Sequence, residues 1–99
     1  MNVIIHSIHF DTDSKLEGFI KEKLQKVEKF VNRIVDAQVF LKLDHNKGNV
    51  KDKIAEIRLQ LPGKTIFAEE RSKGFEESIG LAADSIVRQV KKHKERRQQ

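Results

Sequence analysis

Ninety-nine residues carrying 20 Lys and Arg against 15 Asp and Glu give a net charge of +5, and the absence of cysteine excludes disulfides, thiolate nucleophiles and cysteine-zinc sites together. The length fits one domain, residues 1–99, and 37% hydrophobic residues suffice for one core beneath a heavily ionic surface. No apolar run is long enough to cross a bilayer, and the opening MNVIIHSIHF lacks the pattern of a secretory signal, so a soluble, intracellular, cytoplasmic protein is expected.

Residues 2–10, NVIIHSIHF, are rich in β-branched and aromatic side chains, which predicts a first strand. Helix-start chemistry follows in DTDSKLEGF. Asp13 or Ser14 can accept from an orphan backbone N–H, and Ser14 with Glu17 has the spacing of a capping box. Leu16, Phe19, Ile20, Leu24, Val27 and Val31 recur at steps of three and four, which predicts an amphipathic helix despite Gly18. AQVFLKL then alternates, with Ala37, Val39, Leu41 and Leu43 on one face and Gln38, Phe40 and Lys42 on the other, as a second strand does. DHNKGN is turn-rich, and IAEIRLQL alternates again, turning Ala55, Ile57, Leu59 and Leu61 toward the core and Glu56, Arg58 and Gln60 outward. Pro62-Gly63 makes a tight reversal, because proline presets the first turn dihedral and glycine accepts a positive one; KTIFAEE returns as a fourth strand. From about Gly74 to the mid-nineties a second helix buries Phe75, Ile79, Ala82, Ala83, Ile86 and Val90, and only the terminal ERRQQ is expected to fray.

The order is β-α-β-β-β-α, an α+β fold. A four-stranded sheet with both helices on one face buries every apolar stripe. Strands one and two should form a right-handed parallel crossover and strands two to four an antiparallel meander, leaving the other sheet face to solvent or a partner.

Charge is unevenly spread along this chain. Arg88 to Arg97 holds six basic residues against one acid, which equals the net charge of the molecule. At 100° per residue Arg88, Lys91 and Lys92 lie opposite the buried stripe. Helix one repeats the arrangement with Lys15, Lys26, Lys29 and Arg33 on one flank, Glu22 among them. Two basic helix faces on one side of a sheet make a positive groove, which suits a polyanion: nucleic acid first, an anionic membrane surface second.

Other constellations fail on spacing or inventory. His6 and His9 point to opposite faces of a strand, so they do not make a zinc pair, and the Asp44 to Gly48 stretch lacks the glycine and glutamate positions of a calcium loop. Asp11 and Asp13 flank a helix start, where capping is the commoner role. Without cysteine, tyrosine, a Gly-rich phosphate loop or a Ser-His-acid signature, no enzyme and no cofactor are expected. Modules that read exposed bases offer aromatic platforms; most of the six Phe belong to the apolar stripes and Phe40 alone faces out, so recognition should rest on phosphates and shape.

"KVEKFVNRIVDAQVFLKL" and "FEESIGLAADSIVRQVKKHKE", joined by "IAEIRLQLPGKTIFAEE", closely resemble the ribosome hibernation promoting factor family, which also includes the ribosome-associated inhibitor A. The resemblance spans nearly the whole chain and is carried most specifically by "RQ-x-KKHK" in the last helix and "K-x-x-K-V-E-K" in the first. It implies the same β-α-β-β-β-α fold, similar to a double-stranded RNA-binding domain, and a non-catalytic protein that binds the small ribosomal subunit, occupies the channel for messenger and transfer RNA, and silences idle ribosomes in stationary phase or stress. By position it implies ribosomal RNA contacts at Lys23, Lys26 and Lys29 of helix one, Lys42 of strand two, and Arg88, Lys91, Lys92 and Lys94 of helix two. Gly74 and Gly80 stand where the family often has acids, which predicts a looser start to the last helix. The chain stops after ERRQQ, and so looks like the short form of the factor.

Two other readings compete. A generic double-stranded RNA-binding domain is basic at the start of its last helix, whereas this helix starts Phe75-Glu76-Glu77. A membrane-surface or protein-docking module would need the apolar stripe of that helix to be free.

Overall fold

The apolar stripes and alternations translate into β1 (Val3–Ser7), α1 (Ser14–Glu28), β2 (Asp36–Asn46), β3 (Asn49–Leu61), β4 (Lys64–Ser72) and α2 (Phe75–Gln98) in the computed structural model, which describes residues 1–46 and 48–98. The strands form a single sheet in the order β1-β2-β3-β4. β1 runs parallel to β2, with Ile5 beside Val39, and β2, β3 and β4 form an antiparallel meander in which Ile57 pairs with both Val39 and Ala68. The α+β order expected from periodicity is the order observed.

Side chains alternate as the pleat requires. Ala37, Val39, Leu41, Ala55, Ile57, Leu59, Ile66 and Ala68 turn to one face and join Ile20, Leu24 and Val27 of α1 and Ile79, Ala82, Ile86 and Val90 of α2 in a single core. Both helices therefore cover the same sheet face, and burying each of the large aliphatic residues contributes roughly 1.5–3 kcal/mol. The stripe of α2 is sealed into this core, so it is not free to lie in a membrane. The Gln89 side-chain amide donates to the Phe67 carbonyl at 3.0 Å, tying α2 to β4.

Local chemistry sets the element ends. Asp13 is the N-cap of α1: its carboxylate accepts from the Leu16 N–H at 2.7 Å. The capping box expected from Ser14 does not form, because Glu17 instead takes a bond from the Thr12 hydroxyl at 2.8 Å. α1 stops at Glu28, before Val31. The amides of Lys29, Phe30 and Val31 each bond three residues back, a tightened last turn that precedes the β-branched run Val31, Ile34, Val35. β1 is shorter than expected, since His9 adopts a left-handed φ of 68° just beyond it; His9 thus lies outside the strand on which its pairing with His6 was judged.

β2 and β3 extend further than their apolar alternation, through Asn46 and from Asn49, so the turn in DHNKGN is narrow, with Gly48 at φ 82°; Lys47 lies outside the described residues. Gly63 has φ 75°, the positive dihedral expected after Pro62. α2 is assigned through Gln98, across most of the segment expected to fray, and Gln99 lies outside the described residues. Its start is held without an acidic cap. The buried Ser78 hydroxyl donates to the Lys53 carbonyl at 2.7 Å and accepts from the Ser72 hydroxyl at 2.6 Å, and Ser72 in turn accepts from the Gly74 N–H at 3.2 Å. Serine hydroxyls therefore anchor the helix start that the glycines were expected to loosen.

Candidate nucleic-acid interface

Lys23 and Lys26 stand one turn apart on α1, and Lys29 is its C-cap, donating its backbone N–H to Lys26 and Val27. The Lys23 ammonium lies 5.4 Å from the centre of the Phe19 ring, which braces the long side chain. Arg88, Lys91 and Lys92 occupy i, i+3 and i+4 positions of α2, opposite Ile86 and Val90, and Lys94 follows on the next turn; all four are exposed. The two helices pack against each other. Lys91 reaches across to the chain leaving α1, its ammonium 4.9 Å from the centre of the Phe30 ring.

Because α1 ends at Glu28, Arg33 does not share the helix flank expected for it. It instead lines, with Lys94 of α2 and Lys64 at the start of β4, a cleft of about 210 Å³ whose lining also includes the apolar Val31, Leu61 and Val90. Lys64 also contacts His93, Nζ to Nδ1 3.3 Å. Lys64 was missed from sequence because nothing local places a hairpin turn beside the basic end of a helix almost thirty residues later.

Ion pairing divides the cations into two populations. On the sheet, Lys42 pairs with Glu69 at 3.3 Å, Arg58 with Glu56 at 2.9 Å, Arg71 with Asp44 at 3.0 Å and Asp52 at 3.5 Å, and Lys73 with Asp52 at 3.0 Å. Among the described residues, none of Lys23, Lys26, Lys29, Arg88, Lys91, Lys92 or Lys94 has a carboxylate partner. The sheet is close to neutral by local pairing, and the uncompensated charge sits on the helix side. Lys42 is the one expected contact residue that the fold separates from the rest: it lies on the outer sheet face, bonded to Glu69.

The Asp52 carboxyl is held below its ordinary range, first by its hydrogen bond from Lys73; an opposing cost of desolvation comes next, and the positive charge of Lys73, Lys51 and Arg71 adds to the lowering. It is an anchor for the loop between β4 and α2, remote from the helix cations. No helix among the described residues is long and apolar enough to cross a membrane.

The arrangement is an array of exposed ammonium and guanidinium groups without carboxylate partners among the described residues, which suits binding to closely spaced phosphates. The family model described as "Sigma 54 modulation protein / S30EA ribosomal protein" matches residues 3–98. The ribosome hibernation promoting factor of Pseudomonas putida is 33% identical over 98 residues, covering 99% of this chain and 91% of that one. Two solved structures share the fold: the N-terminal domain of Protein Y from Thermus thermophilus, with a TM-score of 0.81 at 24% identity over 94% of this chain and 99% of that chain, and a ribosomal subunit interface protein from Coxiella burnetii, with a TM-score of 0.83 at 22% identity over 95% and 98%.

Proposed function

The chain belongs to the Sigma 54 modulation protein / S30EA ribosomal protein family, and on that premise we propose that it is a ribosome-associated translation inhibitor that binds the small ribosomal subunit through its helix face. In this reading Lys23, Lys26 and Lys29 of α1 and Arg88, Lys91, Lys92 and Lys94 of α2 contact ribosomal RNA phosphates, with Arg33 and Lys64 extending the array at one end. The bound protein fills the messenger and transfer RNA channel and holds the ribosome idle in stationary phase or stress. The name of the Pseudomonas putida relative supports the hibernation role, and the name of the Coxiella burnetii structure supports an interface position on the ribosome.

The observation that carries the reading is the segregation of charge. Every ion pair of the described residues lies on the sheet or the loops beside it, and the helix cations are left to an external anion. A phosphate partner supplies that anion and gains from released counterions. Lys42, which faces away and holds Glu69, stands outside this array.

Gradient sedimentation with purified ribosomes tests the proposal. The wild-type protein should travel with small subunits or whole ribosomes. Arg88→Glu, Lys91→Glu and Lys92→Glu together should lower affinity by at least about a hundredfold, as expected when several phosphate contacts are reversed, while the circular dichroism of the fold is unchanged. Full co-sedimentation of the triple variant would refute the helix-face site.

A further inference from the structure

The outer face of the sheet carries flat side-chain groups on all four strands. His6 of β1 and Phe40 of β2 stack with ring centres 4.6 Å apart and planes 12° apart. The Arg58 guanidinium of β3 lies 4.8 Å from the centre of the Phe40 ring, steadied by its bond to Glu56 at 2.9 Å. Phe67 of β4 sits directly opposite Arg58 in the ladder, yet Arg58 leans the other way, toward β2. The Phe67 ring is left 61% exposed, and an open cleft of about 300 Å³ lined by Glu56, Arg58, Thr65 and Phe67 lies beside it.

Apart from the Arg58 guanidinium, the polar groups of this cleft are acceptors. Glu56 uses Oε1 on Arg58 and keeps Oε2. The Thr65 hydroxyl gives its proton to Gln60 and keeps its lone pairs. A flat ligand edge rich in N–H donors complements them, and the ring and guanidinium offer it two faces to stack on. An arginine from a protein partner would meet the like charge of Arg58. Phosphate alone has no basis for binding here, because the cations of this face are already paired with carboxylates.

We propose that the cleft between Phe67 and Arg58 takes an unpaired guanine base of RNA, stacked against the Phe67 ring and the Arg58 guanidinium, with its N1–H and exocyclic amine donating to Glu56. Guanine presents two adjacent donors on that edge, whereas uracil places a carbonyl on each side of its single donor and would set oxygen against oxygen. The inference rests on the reading of the molecule as an RNA-binding protein, but it concerns the opposite face and base identity rather than charge.

The test uses the isotope-labelled full chain and two short single-stranded RNAs, one all uridine and one with a central guanosine, followed by NMR titration. The guanosine strand should shift the amide signals of Glu56, Arg58, Thr65 and Phe67 and bind at least about tenfold more tightly, with Phe67→Ala, an exposed and therefore foldable change, removing most of the preference. Glu56→Gln should reduce it as well. Arg88→Glu, Lys91→Glu and Lys92→Glu should weaken both strands while leaving the guanosine preference, so failure of the helix-face reading and failure of this one are separable. Equal affinity for the two strands, a preference that survives Phe67→Ala, or protection of the cleft by a ribosomal protein while both RNAs ignore it would each overturn the proposal.

Discussion

The ammonium of Lys91 rests 4.9 Å from the centre of the Phe30 ring, so a cation of the last helix is held by an aromatic residue in the turn that closes the first. The contact restricts a side chain that would otherwise sample many rotamers. A double-mutant cycle with Phe30→Leu and Lys91→Ala should give a coupling of about 0.5–1 kcal/mol in urea unfolding, the range for a partly exposed cation over a ring. A coupling indistinguishable from zero would mean that the ring only fills space.

Ser78 is buried, bonded to the Lys53 carbonyl and to Ser72. Ser78→Ala leaves the half-buried Lys53 carbonyl short of a partner and should destabilise the fold by about 1–2 kcal/mol, read as a lower urea midpoint at unchanged slope. Ser72→Ala should weaken the same helix start from the strand side. If neither substitution moves the midpoint, the hydroxyl network does not anchor α2.

Asp52 supplies a pH dependence with a defined sign. Its carboxyl is depressed in the folded state by Lys73, with Lys51 and Arg71 adding to the effect, so the charged form stabilises the fold above its ordinary value of 3.8. That contribution is lost as pH falls through the lower folded-state value. Unfolding midpoints measured from neutral pH down to about pH 2 should fall more steeply for wild type than for Asp52→Asn, with the two curves converging at the acid end. Parallel curves would show that the pair with Lys73 is too solvent-exposed to matter.

The element order and both buried stripes were legible because period two and period 3.6 are written in single residues: Ala55, Ile57, Leu59 and Leu61 for β3, and Ile79, Ala82, Ile86 and Val90 for α2. Ends were less legible. Nothing in NVKDK marks the first half of a strand, since its charged residues pair across the sheet only once register is known, and the end of α1 depends on where Phe30 and Val31 must turn to reach the core. Phe67 was readable and passed over: with Ile66 and Ala68 inward, alternation alone puts it outside. The helix cations were identifiable from sequence, but their freedom from carboxylates was not, because Glu69, Asp44 and Asp52 find their partners on neighbouring strands and loops, which only the fold brings together.

Charges paired off on the sheet and cations without carboxylate partners on the helices displace the positive charge of the molecule toward its helix side. In the field of a large polyanion such a body is turned as it diffuses and arrives with its helices leading. Much of the rotational search that ordinarily slows docking is then completed before first contact, and the gain vanishes as added salt shortens the reach of the field.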